Sequence, residues 1–456
     1  MSSRDPGGAS ERGLLARLGL HRPELRAWAL YDWANSAFVL TIQAAIFPIY
    51  FTDVAAGPLA DAEATRRFAW TTSIALGAVA VMAPVLGALA DYAGVKKRSL
   101  AAFLVLGVGS TAALWFVQRG DWLLGASLFA LANVGAQGSF VFYDSLLPHI
   151  ASPEEMDRVS TAGFATGYFG SSILFVAQIA WIQWPEAFGL PAPVGADATL
   201  PARIAFVSVA VWWALFSVPL FLRVDEPARH LEPDERPGQR ALRVALQRLR
   251  ETFGELRRYR HALLMLVAFL VYNDGIGTII RMASIYGAEI GLDRTAMLLA
   301  ILLVQLIGVP FAFLFGAIAG RVGTKPAILS GLGVYVGIVS FAYFMQTALH
   351  FFLLAILVGM VQGGCQALSR SLFASLIPSH KSSEFFGFYA VLEKFAGIAG
   401  PAAFALTSQL TGSSRQAILT VLFFFVAGGL LLWKVDVEEG RRVAREAERG
   451  LRPASR

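Results

Sequence analysis

Long apolar runs are the feature that most constrains this chain. The sequence breaks into discrete hydrophobic stretches of about twenty residues, enough to cross roughly 30 Å of hydrocarbon as a helix. Twelve can be placed, at roughly 25–51, 68–90, 99–117, 122–147, 161–184, 202–222, 261–287, 296–319, 326–346, 350–377, 385–408 and 416–434. Hydrophobic residues make up 56% of the chain, charged residues 15%, and mean hydropathy is +0.58, more apolar surface than a soluble core buries. Lipid satisfies no backbone polar group, so only helices or closed barrels span it. The short alternating segments of a barrel are missing. The expected fold class is therefore an all-α membrane protein with twelve transmembrane helices. The single cysteine, Cys365, lies inside an apolar run and excludes an intramolecular disulfide and a thiolate metal site, and no metal or cofactor is expected. Residues 1–24 are polar and carry arginines without an apolar core before a cleavage site, so no cleavable signal peptide is expected.

Loop charge orients the bundle, because Lys and Arg concentrate on the cytoplasmic side. With the N-terminus in the cytoplasm, 29 of the 38 Lys and Arg fall on that side. Only Arg66, Arg67, Arg119, Arg203, Arg294 and Arg415 fall on the other. An even number of spans returns the C-terminus to the cytoplasm. The net charge of +6 is thus membrane electrostatics and calls for no nucleic acid. The absence of an Asn-x-Ser/Thr sequon fits a bacterial inner membrane, with a vacuolar membrane as the alternative. The chain divides into a first half at 1–222, a basic linker at 223–260, a second half at 261–434 and a charged tail at 435–456. Within the linker, Leu242, Val244, Leu246, Leu249, Phe253 and Leu256 recur at helical spacing. That pattern predicts either an amphipathic helix on the membrane surface or a solvated charged linker.

An internal repeat runs through the two halves. Gly87-Ala-Leu-Ala-Asp91-Tyr-Ala-Gly94-Val-Lys96 matches Gly316-Ala-Ile-Ala-Gly320-Arg-Val-Gly323-Thr-Lys325 at an offset of 229. Ser145-Leu-Leu-Pro148 matches Ser375-Leu-Ile-Pro378 at 230, and Gly167 and Gly170 match Gly397 and Gly400 at the same offset. Tyr31-Asp32 in span one parallels Tyr272-Asn273 in span seven.

The connection from Gly87 to Arg98 resembles the signature loop of the major facilitator superfamily, whose fold is two six-helix halves in parallel relation. A narrower resemblance rests on Trp28-Ala-Leu-Tyr-Asp-Trp-Ala-Asn-Ser-Ala-Phe38, Phe142-Tyr-Asp-Ser-Leu-Leu-Pro-His149, Tyr272-Asn-Asp-Gly275, Gln362-Gly-Gly-Cys-Gln-Ala-Leu-Ser-Arg-Ser371 and Glu384-Phe-Phe-Gly-Phe-Tyr389. In that order they are similar to the vacuolar amino-acid effluxer (autophagy-related) family and its bacterial relatives. The resemblance implies a secondary transporter acting as a monomer on a small polar solute, with amino-acid efflux for the vacuolar members. It also implies that spans one, four, seven and ten line the central cavity.

An ionisable residue at the bilayer centre costs at least about 2.5 kcal/mol, so each needs a partner, water or a proton. Seven stand out: Asp32, Asp144, Asp274, Arg281, Arg370, Glu393 and Lys394. Asp32, Asn35, Ser36 and Gln43 share one face of span one, and Asn133, Gln137 and Asp144 one face of span four. Gln362, Gln366 and Arg370 do so in span ten. In span seven, Asn273 and Asp274 beside Gly275 and Gly277 suggest local unwinding around a substrate. Arg370 either clamps a carboxylate ligand or pairs with Glu393 or an aspartate. Glu393 and Lys394 are adjacent and so about 100° apart on span eleven, and suggest a structural ion pair to span ten or to the helix-two loop. Asp32, Asn273 and Asp274 are expected to line one site, with Arg370 as its cationic wall. In the loop motif, Asp91 can meet a helix N-terminus and is inexpensive to neutralise, while Lys96, Lys97 and Arg98 are expected to pair with acids across the half-interface.

Other functions fit less well. No nucleotide-binding Gly-Lys-Ser/Thr loop suggests an ATP-driven pump, and none of the six histidines sits in a catalytic motif, so no enzyme is expected. Drug or metabolite efflux and a transport-inactive sensor remain alternatives.

Overall fold

In the computed structural model, the described residues are 13, 15–190, 199–231, 241–255, 258–289, 294–395, 399–411, 414–449 and 452–453. Among them, eleven helices are long and apolar enough to cross a membrane, beginning with Pro23–Ala55 and ending with Gln416–Trp433. The remaining crossing, span eleven, consists of Ser382–Phe395 and Ala399–Thr411. The result is a twelve-span, two-half bundle. Spans two and eight are longer than hydropathy suggested, at Asp61–Ala93 and Arg294–Val322.

Local sequence explains the irregular places. Pro48 has no N–H to give and its ring crowds the carbonyl four residues back. Span one therefore widens into π-helical turns at Val39–Ala45 and Phe51–Ala55, with the Ile46 amide bonded to the Thr41 carbonyl, five residues earlier. Gly94 and Gly323 take positive φ, 66° and 95°, which releases the chain from spans two and eight into spans three (Lys96–Ala113) and nine (Thr324–Tyr343). The two glycines stand at the repeat offset, at the corresponding break between spans in each half.

The halves meet along spans two and eleven, five and eight, five and ten, and four and eleven. Bare glycines bring these helices close. A Cβ at Gly87 would lie 2.2 Å from the Ser383 carbonyl oxygen, and one at Gly387 would lie 2.8 Å from that of Ala83. Tyr168 of span five (Met156–Gln183) enters a slot floored by Gly308 and Gly363, where added Cβ atoms would sit 2.5 Å from its ring.

The linker forms a helix at Ala241–Glu255. Its Ala245 and Leu249 pack on Ala88, Val85, Leu89 and Phe388 of spans two and eleven, while Leu246 is exposed. Leu242, Phe253 and Leu256 lie outside the described side chains. The tail is likewise ordered, as a helix at Val437–Arg449. Asp436 accepts the Glu439 amide at 3.0 Å as its N-cap, and the Glu448 carboxylate accepts the Ser379 amide at 2.7 Å. A two-residue antiparallel bridge joins His230–Leu231 to Arg452–Pro453.

Candidate functional site

Arg370, on span ten (Ala348–Ser375), crosses the half-interface near the end of the bundle that carries the basic loops, called here the basic face. Its guanidinium donates to Asp32 of span one at 3.2 Å and to Asp144 of span four at 3.0 Å. It also donates to the Ser160 hydroxyl at 2.9 Å and the Ser160 carbonyl at 3.0 Å, both on span five. Trp28 and Phe164 face its plane at 4.7 and 4.6 Å. Only 5% of the arginine side chain is exposed, so this is a buried ion cluster with two carboxylates to one guanidinium. Gly163 makes room for it, since a Cβ there would fall 2.5 Å from the Asp32 carboxylate and 3.0 Å from the guanidinium.

Above this cluster, away from the basic face, the same helices present amides. Asn35 lies about 4.5 Å further along span one, Gln366 about 6 Å and Gln362 about 12 Å along span ten, and Gln137 about 10 Å along span four, at 1.5 Å per residue. The Asn35 Nδ2 and Gln362 Oε1 are buried without a hydrogen-bond partner among the described residues. A buried amide left so is costly unless water or ligand completes it. Gln43 is used structurally, donating to Asn133 at 2.5 Å.

Span seven departs from expectation. It is one continuous helix, Arg260–Glu289, with no unwound turn. Gly275 serves close packing, because a Cβ there would lie 3.1 Å from both Phe424 and Phe425 of span twelve. Asp274 accepts the Gly400 amide of span eleven at 2.8 Å, and Tyr272 shares a 2.5 Å hydrogen bond with Ser369. Asn273 and Asp274 thus do not join the Asp32–Arg370 cluster; the second acid there is Asp144. This backbone amide holds the Asp274 carboxylate toward span eleven. Glu393 is half-buried on span eleven. The side chains of Arg281 and Lys394 lie outside the described ones.

At the basic face the Gly87–Arg98 loop forms a latch. Asp91 accepts the Ser383 and Glu384 amides, at 3.3 and 2.9 Å, at the N-terminus of span eleven. It also pairs with Lys96 at 2.7 Å. Its side chain is fully buried, so neutralising it is not inexpensive: Lys96 would lose its counter-charge inside the protein. Lys96 donates to Ser382 at 2.6 Å and lies 3.0 Å from the His149 Nε2. Among the described residues none of the three basic side chains, Lys96, Lys97 and Arg98, pairs with an acid across the interface, Lys96 being held by Asp91 of its own half. Lys97 caps span six (Leu200–Arg223) by donating to the carbonyls of Phe221 and Val224, and Arg98 is exposed. Free helix-end carbonyls are the nearer electrostatic target. Lys325 does the same for span twelve, donating to the Trp433 and Val435 carbonyls at 2.6 and 2.8 Å. Gly94 shapes the loop, with a Cβ position 3.1 Å from Arg229.

Several contributors escaped the sequence reading. Asp157 of span five accepts Ser371 at 2.5 Å and Thr324 at 2.7 Å, a further inter-half tie. Ser160 and Gly163 were also missed, although Gly163 and Gly167 form a Gly-x-x-x-Gly step that signals close helix approach. Both glycines face span one, at Asp32 and Ser36.

Two six-helix halves joined by a buried ion cluster and a closed latch define the class: an integral membrane transporter of the major facilitator superfamily. The fold is shared with the proton:xylose symporter XylE, at a TM-score of 0.64 and 15% identity over 96% of this chain and 98% of that one. The same holds for the transporter FucP, at 0.65 and 13% over 91% and 98%. Residues 65–445 match the family model described as vacuole effluxer Atg22 like, and the chain belongs to that family. It is 37% identical to the uncharacterized MFS-type transporter YxiO of Bacillus subtilis (strain 168), over 92% of this chain and 96% of that protein. Autophagy-related protein 22 of Coccidioides immitis (strain RS) is 22% identical over 94% and 89%.

Proposed function

We propose that this transporter exports a small zwitterion of the amino-acid class by alternating access, coupled to protons, from a cytoplasm that contains both termini and the basic face. The carrying observation is the cluster in which Arg370 of one half is held by Asp32 and Asp144 of the other. Opening the basic face requires the halves to part there. Asp32 and Asp144 then lose their guanidinium, and Arg370 its carboxylates. A zwitterion replaces both sets of contacts, its carboxylate on the Arg370 fork and its ammonium on an aspartate. The orphaned amides of Asn35 and Gln362 receive its remaining polar atoms. When the latch recloses, the protein's own ion pairs re-form and displace the solute toward the opposite face. Two carboxylates against one guanidinium leave one acid in excess, and we assign the coupling proton to it. The family description as an effluxer supports the direction, and a bacterial relative at 37% identity supports a bacterial inner membrane.

Binding to purified Asp32→Asn and Arg370→Lys variants tests this reading, alongside counterflow in proteoliposomes against an amino-acid panel with and without a pH gradient. Both variants are expected to insert, purify and lose binding at this central site. Wild-type affinity in both would make these charges structural and move the site elsewhere.

A further inference from the structure

A cavity of about 780 Å³ lies at the far end of the bundle, between the outer ends of spans one, five and six, with Leu298 of span eight on its rim. It is well separated along the bundle from Arg370, which sits near the basic face. Its walls are aliphatic, led by Ile46, Ile49, Ile179 and Ile182, and its charged groups among the described residues are Asp53, Arg119 and Arg203.

Arg203 is the informative residue. Its Nη1 donates to the Trp115 carbonyl at 3.4 Å, and its guanidinium lies 4.9 Å from the Trp115 ring centre. Its Nε is buried and has no hydrogen-bond partner among the described residues. The guanidinium is thus held by one edge and one face, and the edge carrying Nε is left without an acceptor. A carboxylate is the ligand whose two oxygens fit such an edge. Span one lines the same cavity through its two π-helical segments, a form of helix that recurs at functional sites.

We propose that this vestibule binds a zwitterion with an aliphatic body, its carboxylate on Arg203 with support from Arg119, its ammonium toward Asp53, and its apolar part against the isoleucines. Resting on the export reading above, the site is the place where an aliphatic amino acid pauses after leaving the central cluster.

L-leucine binding to the full chain in nanodiscs tests this, with the central site disabled by Asp32→Asn. Saturable leucine binding is expected to remain on that background. It should weaken tenfold or more with Arg203→Gln and several-fold with Arg119→Gln, and leucinamide, which has no carboxylate, should not compete. Arg203→Lys, which keeps the charge without the fork, should bind between the two. Should Arg203→Gln fail to purify as a single species, the exposed Arg119 decides. No saturable binding on the Asp32→Asn background overturns the vestibule site, as does binding that neither arginine substitution weakens. If Asp32→Asn binds leucine like wild type and Arg203→Gln removes all of it, the vestibule stands and the central-site reading falls.

Discussion

Replacing Arg370 by glutamine strands two carboxylates in the protein interior. Each ion pair, at 3.0–3.2 Å, carries about 5 kcal/mol of direct Coulomb attraction at an effective dielectric of about 20. Desolvation offsets much of that, but removing one partner of a buried pair still costs about 3–5 kcal/mol, because the other charge stays behind. Arg370→Gln should therefore lose about 3–5 kcal/mol of stability. Asp32→Asn leaves Arg370 paired with Asp144 in a balanced pair, and should cost only about 1 kcal/mol, the worth of one weakened hydrogen bond. The double variant strands one acid instead of two, so it should be more stable than Arg370→Gln alone. Equilibrium unfolding in mixed micelles measures all four proteins, and the double-mutant cycle isolates the pair energy. The reasoning fails if Arg370→Gln lies within about 0.5 kcal/mol of wild type, which would mean a solvated cluster. It fails equally if adding Asp32→Asn destabilises Arg370→Gln further.

Three more outcomes follow from the interface. Asp91→Asn should insert normally but weaken closure of the basic face, with about 3–5 kcal/mol lost because Lys96 stays buried without its counter-charge; spin-label distances between spans two and eleven should lengthen, and unchanged distances would reduce the loop to a topology signal. Gly87→Leu should hold the basic face open more firmly, because even a Cβ meets the Ser383 carbonyl; normal closure by the same distances would contradict that packing. On a Cys365→Ser background, a cysteine at exposed Gln118 should react with an impermeant maleimide from outside whole cells, and one at exposed Glu154 should not; the reverse pattern would invert the proposed orientation. Ser382 is unsuitable for that test because it is fully buried in the latch.

Hydropathy alone determined the class of fold, because a bilayer admits only segments that satisfy their own backbone and bury apolar length, and both properties are local in sequence. The repeat of Gly94 and Gly323 was legible for the same reason: a positive φ needs a particular residue at a particular place. Asp32, Asp144 and Arg370 stood out as costly charges in apolar runs, yet nothing local says which of them meet. That pairing joins positions 32, 144 and 370, and it depends on how far each span is rotated and how closely the helices approach. Rotation and approach are set by contacts such as Gly163 against Asp32 and Tyr168 between Gly308 and Gly363. Tertiary packing also overruled two local readings. Gly275 looked like a helix breaker, but packs against span twelve as an ordinary close contact. Asp274 looked like a cavity acid, but its carboxylate accepts the Gly400 backbone amide of span eleven. Charge can be located along a chain by its cost, whereas its partner is decided only where helices from distant parts of the chain come together.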